Sequence, residues 1–207
     1  MEQFKKALRL EYFTVGYNLL EAVASIVAGG LANSIALVGF GLDSIVESLS
    51  GLVLVWRLRV HGRLSADEEE RIEGRATRFV GASFLLLAAY VLFESVRKII
   101  TGEISDPSLP GIVIAVLSLI VMPVLGYKKY RLGKEMGLSS LVADSKETFV
   151  CATLSVALLA GLTARYFLDF PLADPLVGLV ITAYLVKEGL ELVRGEECGD
   201  DCAGHGK

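Results

Sequence analysis

Six long stretches of mostly apolar residues alternate along the chain with shorter polar segments. Each stretch holds about 20 residues, the length at which an α-helix crosses the hydrocarbon core of a bilayer. The breaks between them carry turn-forming residues, such as Gly29-Gly30 and Asp106-Pro107. The pattern predicts six transmembrane helices, over residues 10–31, 34–56, 77–100, 109–127, 138–162 and 171–193.

Composition supports a membrane protein and excludes several other classes. Hydrophobic residues make up 53% of the chain, and the mean hydropathy is +0.56. That is too apolar for an ordinary soluble domain. The net charge of −4 gives no reason to expect nucleic-acid binding, and three cysteines provide no disulfide framework. The expected fold class is therefore an all-α integral membrane protein.

The basic residues predict the orientation of the chain. Sixteen of the 20 Lys and Arg residues lie before span one, between spans two and three, between spans four and five (Lys128 and Lys129 among them), or at the C-terminal end, when Arg78 at the start of span three and Lys187 near the end of span six are counted with them. The positive-inside rule then places both termini in the cytoplasm of a multi-pass protein of the cell (inner) membrane. We expect a cytoplasmic segment over 1–9, a six-helix transport domain over 10–194 and a cytoplasmic tail over 195–207, with no separate soluble C-terminal domain. The charged run 67–71 is interpreted as a solvated loop or helix end.

Acidic residues inside the predicted spans are the main candidates for function. A charged group in the bilayer costs about 3 kcal/mol, so it tends to persist where it faces an interior cavity. Asp43 and Glu47 are four residues apart on span two, and Glu147 and Cys151 have the same spacing on span five. Each pair therefore lies on one face of its helix, about one turn apart.

The two pairs are predicted to lie at the same depth. Spans two and five run in opposite directions, and each pair lies roughly 13–20 Å from the start of its span. Asp43 is then level with Cys151, and Glu47 with Glu147. Four such side chains suit a four-coordinate divalent ion. The alternative is a set of interhelical polar contacts with one or more carboxylates protonated.

Three segments carry a resemblance to a known family. Span two contains SIALVGFGLDSIVES over 34–48, span five contains VADSKETFVC over 142–151, and span six opens with DPLVGL over 174–179. Together they resemble the cation diffusion facilitator family from about residue 13 to 193. The resemblance implies a six-helix secondary transporter that exports a divalent metal by metal/proton antiport with alternating access, using two ligands four residues apart on each of spans two and five.

The chain departs from the family pattern in its donor atoms. The family site is rich in Asp and His, whereas here Glu47 and Cys151 stand at two Asp positions and Glu147 at a His position. Carboxylates alone suit Mn²⁺ or Fe²⁺, and a thiolate favours Zn²⁺ or Cd²⁺. The expected substrate is Zn²⁺, with Fe, Mn, Cd and Co left open, and no permanently bound cofactor is expected. If Cys151 is only a small buried apolar residue, water or Asp144 completes the shell.

The resemblance is to the shorter branch of the family, which has the membrane region only. Any homodimer is then expected to form within the membrane. An alternative function is a membrane metal sensor or partner subunit that does not transport. An enzyme is not expected, because the spans hold no nucleophile–base arrangement and both histidines, His61 and His205, lie outside them.

Four other acidic residues are expected to have supporting or structural roles. Glu21 and Asp144 are possible accessory metal or proton positions. Glu94 is expected to form an interfacial ion pair with the nearby Arg97 or Lys98. Asp174 is expected to cap the start of its own helix.

The C-terminal tail is a possible metal-capture segment. It contains two thiols and an imidazole within eight residues, Cys198, Cys202 and His205. These side chains can bind a soft divalent ion and would raise its concentration at the cytoplasmic mouth. The alternative is a disordered polar end.

Overall fold

A computed structural model describes residues 2–60, 66–103, 106, 108–168 and 170–194. Within these residues the chain forms six α-helices. They are α1 (Glu2–Leu31), α2 (Ile35–Val60), α3 (Ala66–Thr101), α4 (Leu109–Met136), α5 (Ser139–Leu168) and α6 (Ala173–Arg194). Most extend beyond the predicted apolar spans, and the charged run 67–71 lies in the first turns of α3.

The helices have the dimensions of a multi-pass membrane protein. Among the described residues, α1, α2, α4 and α5 are long and apolar enough to cross a bilayer. The helices α3 and α6 do not meet the same criteria of length and composition.

The outer surface is apolar and much of the interior is polar. Along α1, the buried side chains recur every three or four residues and include Glu11, Thr14, Asn18, Glu21 and Ser25. The opposite side of α1 exposes large apolar side chains, including Leu19, Leu20, Val23 and Val27. This arrangement suits lipid, because apolar side chains meet the acyl chains while polar groups find partners on neighbouring helices.

The six helices form a four-helix bundle and a flanking pair. The closest packing is between α1 and α2, between α4 and α5, and between α3 and α6. The first two hairpins join through contacts of α1 with α4 and of α2 with α5. The α3–α6 pair packs against α2 and α5. The interior of the bundle is therefore lined by α1, α2, α4 and α5.

The α1–α2 and α4–α5 hairpins repeat the same backbone geometry. Gly133 and Leu138 stand 104 positions after Gly29 and Ser34. The amide of Ser34 donates to the carbonyl of Gly29 at 2.8 Å, and the amide of Leu138 donates to the carbonyl of Gly133 at 3.0 Å. The same shift relates Glu147 and Cys151 to Asp43 and Glu47, a correspondence that concerns the predicted ligands directly.

The turns of the two hairpins also match, and they lie at opposite ends of the bundle. Asn33 and Gly137, again 104 positions apart, both adopt left-handed backbone conformations, with φ of 48° and 65°. Asp106, in the α3–α4 connection, donates its amide to the carbonyl of Ala32, so that connection lies at the α1–α2 turn. The α4–α5 turn is then at the other end. The two hairpins form an inverted-topology repeat.

Close packing between α1 and α2 requires a glycine at position 29 but not at its neighbour. A Cβ atom at Gly29 would lie 2.7 Å from Val38 Cγ2 and 2.8 Å from Val38 N, whereas one at Gly30 would meet nothing within 4 Å. We expect Gly29→Ala to destabilise the protein by about 1–3 kcal/mol through overpacking. We expect Gly30→Ala to be neutral or stabilising by up to about 1 kcal/mol. Thermal unfolding in detergent measures both, and equal effects would contradict the prediction.

Candidate functional site

Three of the four predicted metal ligands lie in the bundle interior. Asp43 and Glu47 on α2 are 3% and 4% exposed, and Cys151 on α5 is 1% exposed. Glu147, one turn before Cys151, is half-buried. The i, i+4 spacing on α2 thus points both carboxylates inward, as expected from one face of a helix.

Glu21 on α1 joins these residues. Its Oε2 atom accepts a hydrogen bond from Ser44 Oγ at 2.9 Å and lies 4.0 Å from Cys151 Sγ. Asp43 lies within electrostatic range of both Glu21 and Glu47. We name Glu21, Asp43, Glu47 and Cys151 the acid–thiol cluster. It draws on three helices, α1, α2 and α5.

The side chain that links α5 to Glu47 is a threonine. Thr148 Oγ1 donates to Glu47 Oε1 at 2.8 Å, and within the described residues the second oxygen, Glu47 Oε2, has no hydrogen-bond partner. Thr148 was not among the site residues predicted from sequence. Its spacing from Asp144 and Cys151, four and three residues, could have placed it on their stripe. A hydroxyl at this position holds one carboxylate oxygen and leaves the other available.

The predicted ligands do not surround a common point in this conformation. In the part of the chain that the structure describes, no group of three or more His, Cys, Asp and Glu side chains is arranged to hold a metal ion. Carboxylate oxygens suit hard cations, and the thiol adds affinity for softer ones.

A buried lysine lies beside the cluster, at a position predicted to lie between spans four and five. That prediction was wrong, because α4 continues to Met136 and carries Lys129 into the interior. Lys129 is fully buried and pairs with Asp144 and with Glu11, the latter at 3.3 Å. Its Nζ atom also donates to Thr148 Oγ1 at 3.3 Å. Asp144, predicted as an accessory position, is thus the ion-pair partner of Lys129.

The Asp174 carboxylate caps α2 rather than its own helix. Because α6 begins at Ala173, Asp174 lies inside the first turn of α6. It accepts hydrogen bonds from the amides of Ile35 and Ala36 at 3.1 and 3.3 Å, and another from the hydroxyl of Ser34. The expectation of a local cap was therefore wrong. The carboxylate instead satisfies two free amides of a neighbouring helix.

Lys98 completes this connection between helices at the α1–α2 turn. It is buried and forms an ion pair with Asp174 at 3.1 Å, and it also donates to the carbonyl of Asn33. The predicted interfacial pair is made by Arg97, which lies 3.3 Å from Glu94. Lys98 and Asp174 therefore fasten α3 and α6 to the start of α2.

The tail residues Cys198, Cys202 and His205 lie outside the described residues, as does His61. Metal capture by this segment therefore stays a prediction from sequence.

Comparison with known proteins places the chain in a family. Residues 13–195 match the cation efflux transmembrane domain. The chain is 28% identical over 171 residues to the magnetosome protein MamB of Magnetospira sp. (strain QH-2), covering 80% of this chain and 58% of that protein. It is 23% identical over 197 residues to transmembrane protein 163 of Xenopus laevis, covering 91% and 68%.

A third relative bears the family description in its name. A Mycobacterium tuberculosis protein named as a cation efflux system protein is 28% identical over 176 residues, covering 81% of this chain and 51% of that protein. The chain spans less than three-fifths of the length of this relative and of the magnetosome relative. The domain match covers nearly all of the six helices, and the chain belongs to the cation efflux family of membrane proteins.

Proposed function

We propose that this protein is a secondary transporter that exports a divalent metal cation from the cytoplasm. One observation supports this most strongly: three carboxylates and a thiol from α1, α2 and α5 are buried together in the interior of a membrane protein. Placing charged groups at this depth is costly, and a transported cation offsets that cost. Membership of a cation efflux family agrees with the proposal.

The proposed ligands are Asp43, Glu47, Glu147 and Cys151, with Glu21 as an accessory carboxylate. The inverted repeat supports this choice, because Glu147 and Cys151 occupy the positions on α5 that Asp43 and Glu47 occupy on α2. Glu147 would enter the site when α5 moves relative to α2. Related hairpins of opposite topology provide a route to alternating access, in which each side of the site opens in turn.

A proton gradient is expected to drive the transport. Carboxylates and the thiol lose protons when they bind a metal and regain them when the metal leaves. In proteoliposomes, we expect metal uptake to accelerate when the compartment that receives metal is the more acidic one, because protons there displace the metal. A fluorescent metal indicator measures this, and uptake that ignores an imposed pH gradient would exclude the coupling.

Zn²⁺ is the proposed substrate, and Cys151 is expected to set the preference for soft ions. Replacement of the thiol with a hydroxyl in Cys151→Ser should lower the ratio of Cd²⁺ to Mn²⁺ transport by about tenfold, because thiolates favour soft cations. Ser155, which lies one turn further along α5 and bonds to Ser118 at 2.9 Å, offers a control. Ser155→Ala should leave the ratio unchanged. An unchanged ratio in Cys151→Ser would assign Cys151 to packing.

The alternative is a non-transporting metal sensor or partner subunit. The absence of a converged four-ligand site among the described residues gives it specific support. Purified protein in vesicles distinguishes the two, because a binding protein saturates at a fixed ratio of metal to protein whereas a transporter accumulates metal beyond it. We also propose that the transporter is a homodimer in the cell (inner) membrane, with the contact between its two copies formed within the bilayer.

A further inference from the structure

The inverted repeat is chemically asymmetric on the two sides of the acid–thiol cluster. On the side of the α4–α5 turn, three buried residues are charged: Glu11, Lys129 and Asp144. The positions related to them by the 104-residue shift are also buried but carry no charge, and they are Ala115, Ser25 and Phe40. Identical backbone positions thus hold an ionic network at one end and small or aromatic residues at the other. Packing demands common to both hairpins do not account for this difference.

The ionic network contains more carboxyl groups than ammonium groups. Two carboxylates, Glu11 and Asp144, face the single ammonium of Lys129. Within the described residues, Glu11 Oε1 and Asp144 Oδ1 have no hydrogen-bond partner, although Glu11 is 0% and Asp144 is 4% exposed. Buried carboxylate oxygens without partners are unusual and call for a ligand or an ion. In this structure the Lys129 ammonium lies between the two carboxylates with one positive charge. A divalent cation bound by both carboxylates would bring two positive charges.

A continuous path of polar contacts joins this network to the cluster. Lys129 Nζ donates to Thr148 Oγ1 at 3.3 Å, and Thr148 Oγ1 donates to Glu47 Oε1 at 2.8 Å. Glu47, whose Oε2 atom has no hydrogen-bond partner among the described residues, is therefore one side chain away from the ammonium. An ion held between Glu11 and Asp144 would lie next to the proposed transport site.

We propose that Glu11 and Asp144 form a second divalent-cation site, on the α4–α5 turn side of the cluster, and that Lys129 occupies it until a metal ion displaces the ammonium. The site takes a hard or borderline cation through carboxylate oxygens. The lysine is suited to this role because its compact ammonium stands on a flexible four-carbon stem. The inference rests on the proposed function for the transported ion and for the cytoplasmic location of this side.

The location of the site gives it a role as an entry position. Among the described residues, Ala115, Ser25 and Phe40 provide no anionic group at the equivalent positions on the other side, so the repeat offers this pair of carboxylates on one side of the cluster. Metal would be collected on the cytoplasmic side and passed toward Glu47, while the Lys129 ammonium returns and keeps the carboxylates compensated.

The number of Mn²⁺ ions bound per chain tests the proposal. Equilibrium dialysis of the purified full chain in detergent, with metal analysis of the protein, gives this number at a fixed free Mn²⁺ concentration. We expect Lys129→Gln to bind one more Mn²⁺ than the unaltered chain, because the ammonium no longer competes. Adding Glu11→Gln to that variant should remove the additional ion. Lys134→Gln, the same charge change at an exposed position on α4, should bind no additional ion.

Two further variants separate the possible outcomes. The additional ion should survive Asp43→Ala in the Lys129→Gln background; its loss there would assign it to the central cluster and overturn the second site. If transport itself fails while the additional ion remains, the proposed function fails and the second site stands as a binding site. A monodisperse Lys129→Gln protein that binds no additional Mn²⁺ overturns the inference.

If Lys129→Gln does not fold, the single variant Glu11→Gln provides a second test. Glu11→Gln should raise the half-saturating Mn²⁺ concentration for transport about fivefold or more, because the entry site loses a ligand. An unchanged half-saturating concentration overturns the inference by this route.

Discussion

Metal-dependent flux in proteoliposomes is expected to fall at least about hundredfold when Asp43 is replaced by alanine. Loss of a residue that only supports a metal ligand already costs about 10- to 100-fold, and Asp43 is a proposed direct ligand. Asp43 is 3% exposed and lies within electrostatic range of Glu21 and Glu47. Asp43→Asn, which keeps the shape and removes the charge, should retain part of the packing and little of the flux.

A surface carboxylate provides the matched control for this measurement. Glu103 is exposed and pairs with Arg97 at 3.2 Å, outside the bundle interior. Glu103→Ala removes the same charge and should leave flux within about twofold of the unaltered protein, since exposed ion pairs contribute little. Flux in Asp43→Ala that equals flux in Glu103→Ala would exclude the acid–thiol cluster as the transport site. Size-exclusion profiles of both variants establish that they fold.

The second large effect is expected at the start of α2, where Asp174 of α6 binds the first amides of the helix. Asp174→Ala should destabilise the protein by about 3–5 kcal/mol, because it leaves a buried ammonium without its carboxylate partner. Lys98 has a side-chain exposure of 1% and pairs with Asp174 at 3.1 Å. The same substitution removes the acceptor for the amides of Ile35 and Ala36. Unfolding of the purified protein in detergent, followed by circular dichroism against denaturant, measures the loss.

Asp174→Asn tests which part of this interaction dominates. Asparagine keeps an acceptor oxygen for the amides of α2 but removes the negative charge, so it should recover part of the loss and leave the ion-pair component missing. Glu135→Ala breaks an exposed pair with Arg131 at 3.0 Å and should cost about 1 kcal/mol or less. If Asp174→Ala is no more destabilising than Glu135→Ala, the contact at the start of α2 does not hold the helices together.

The position of Asp174 also bears on how the helices move. Its carboxylate joins α6 to the first turn of α2, and Lys98 joins α3 to the same place. The four-helix bundle is thus fastened to the α3–α6 pair at the end where the α1–α2 turn lies. In the proposed alternating-access cycle, opening at that end would separate these contacts. At the opposite end, Glu11, Lys129 and Asp144 form a buried network within the bundle.

Some of this molecule could be predicted from sequence because the determining interactions are local. A helix buries its own backbone hydrogen bonds in lipid, so six apolar runs of sufficient length predict six helices. The four-residue spacing of Asp43 and Glu47 places both on one face, and the membrane makes that face the interior one. These conclusions depend on residues close together in the chain, and they needed no knowledge of how the helices pack.

The tertiary structure decided which distant residues meet. Lys129 contacts Glu11, and Lys98 contacts Asp174, across more than 70 residues of sequence. The hydrophobic pattern predicted that span four ends before Lys129. The carboxylates that compensate the charge of Lys129 are distant in sequence, so no local signal reveals them.

The rotation of each helix about its axis decided the rest. On α5 that rotation sets Thr148 against Glu47 and brings Cys151 to Glu21, while Glu147 stays half-buried. Helical spacing defines a stripe of residues, but only packing against neighbouring helices determines where that stripe points. The sequence alone therefore determined that this protein carries acidic residues within a membrane bundle, and the tertiary structure determined which of them are paired with lysine and which lie together in the acid–thiol cluster.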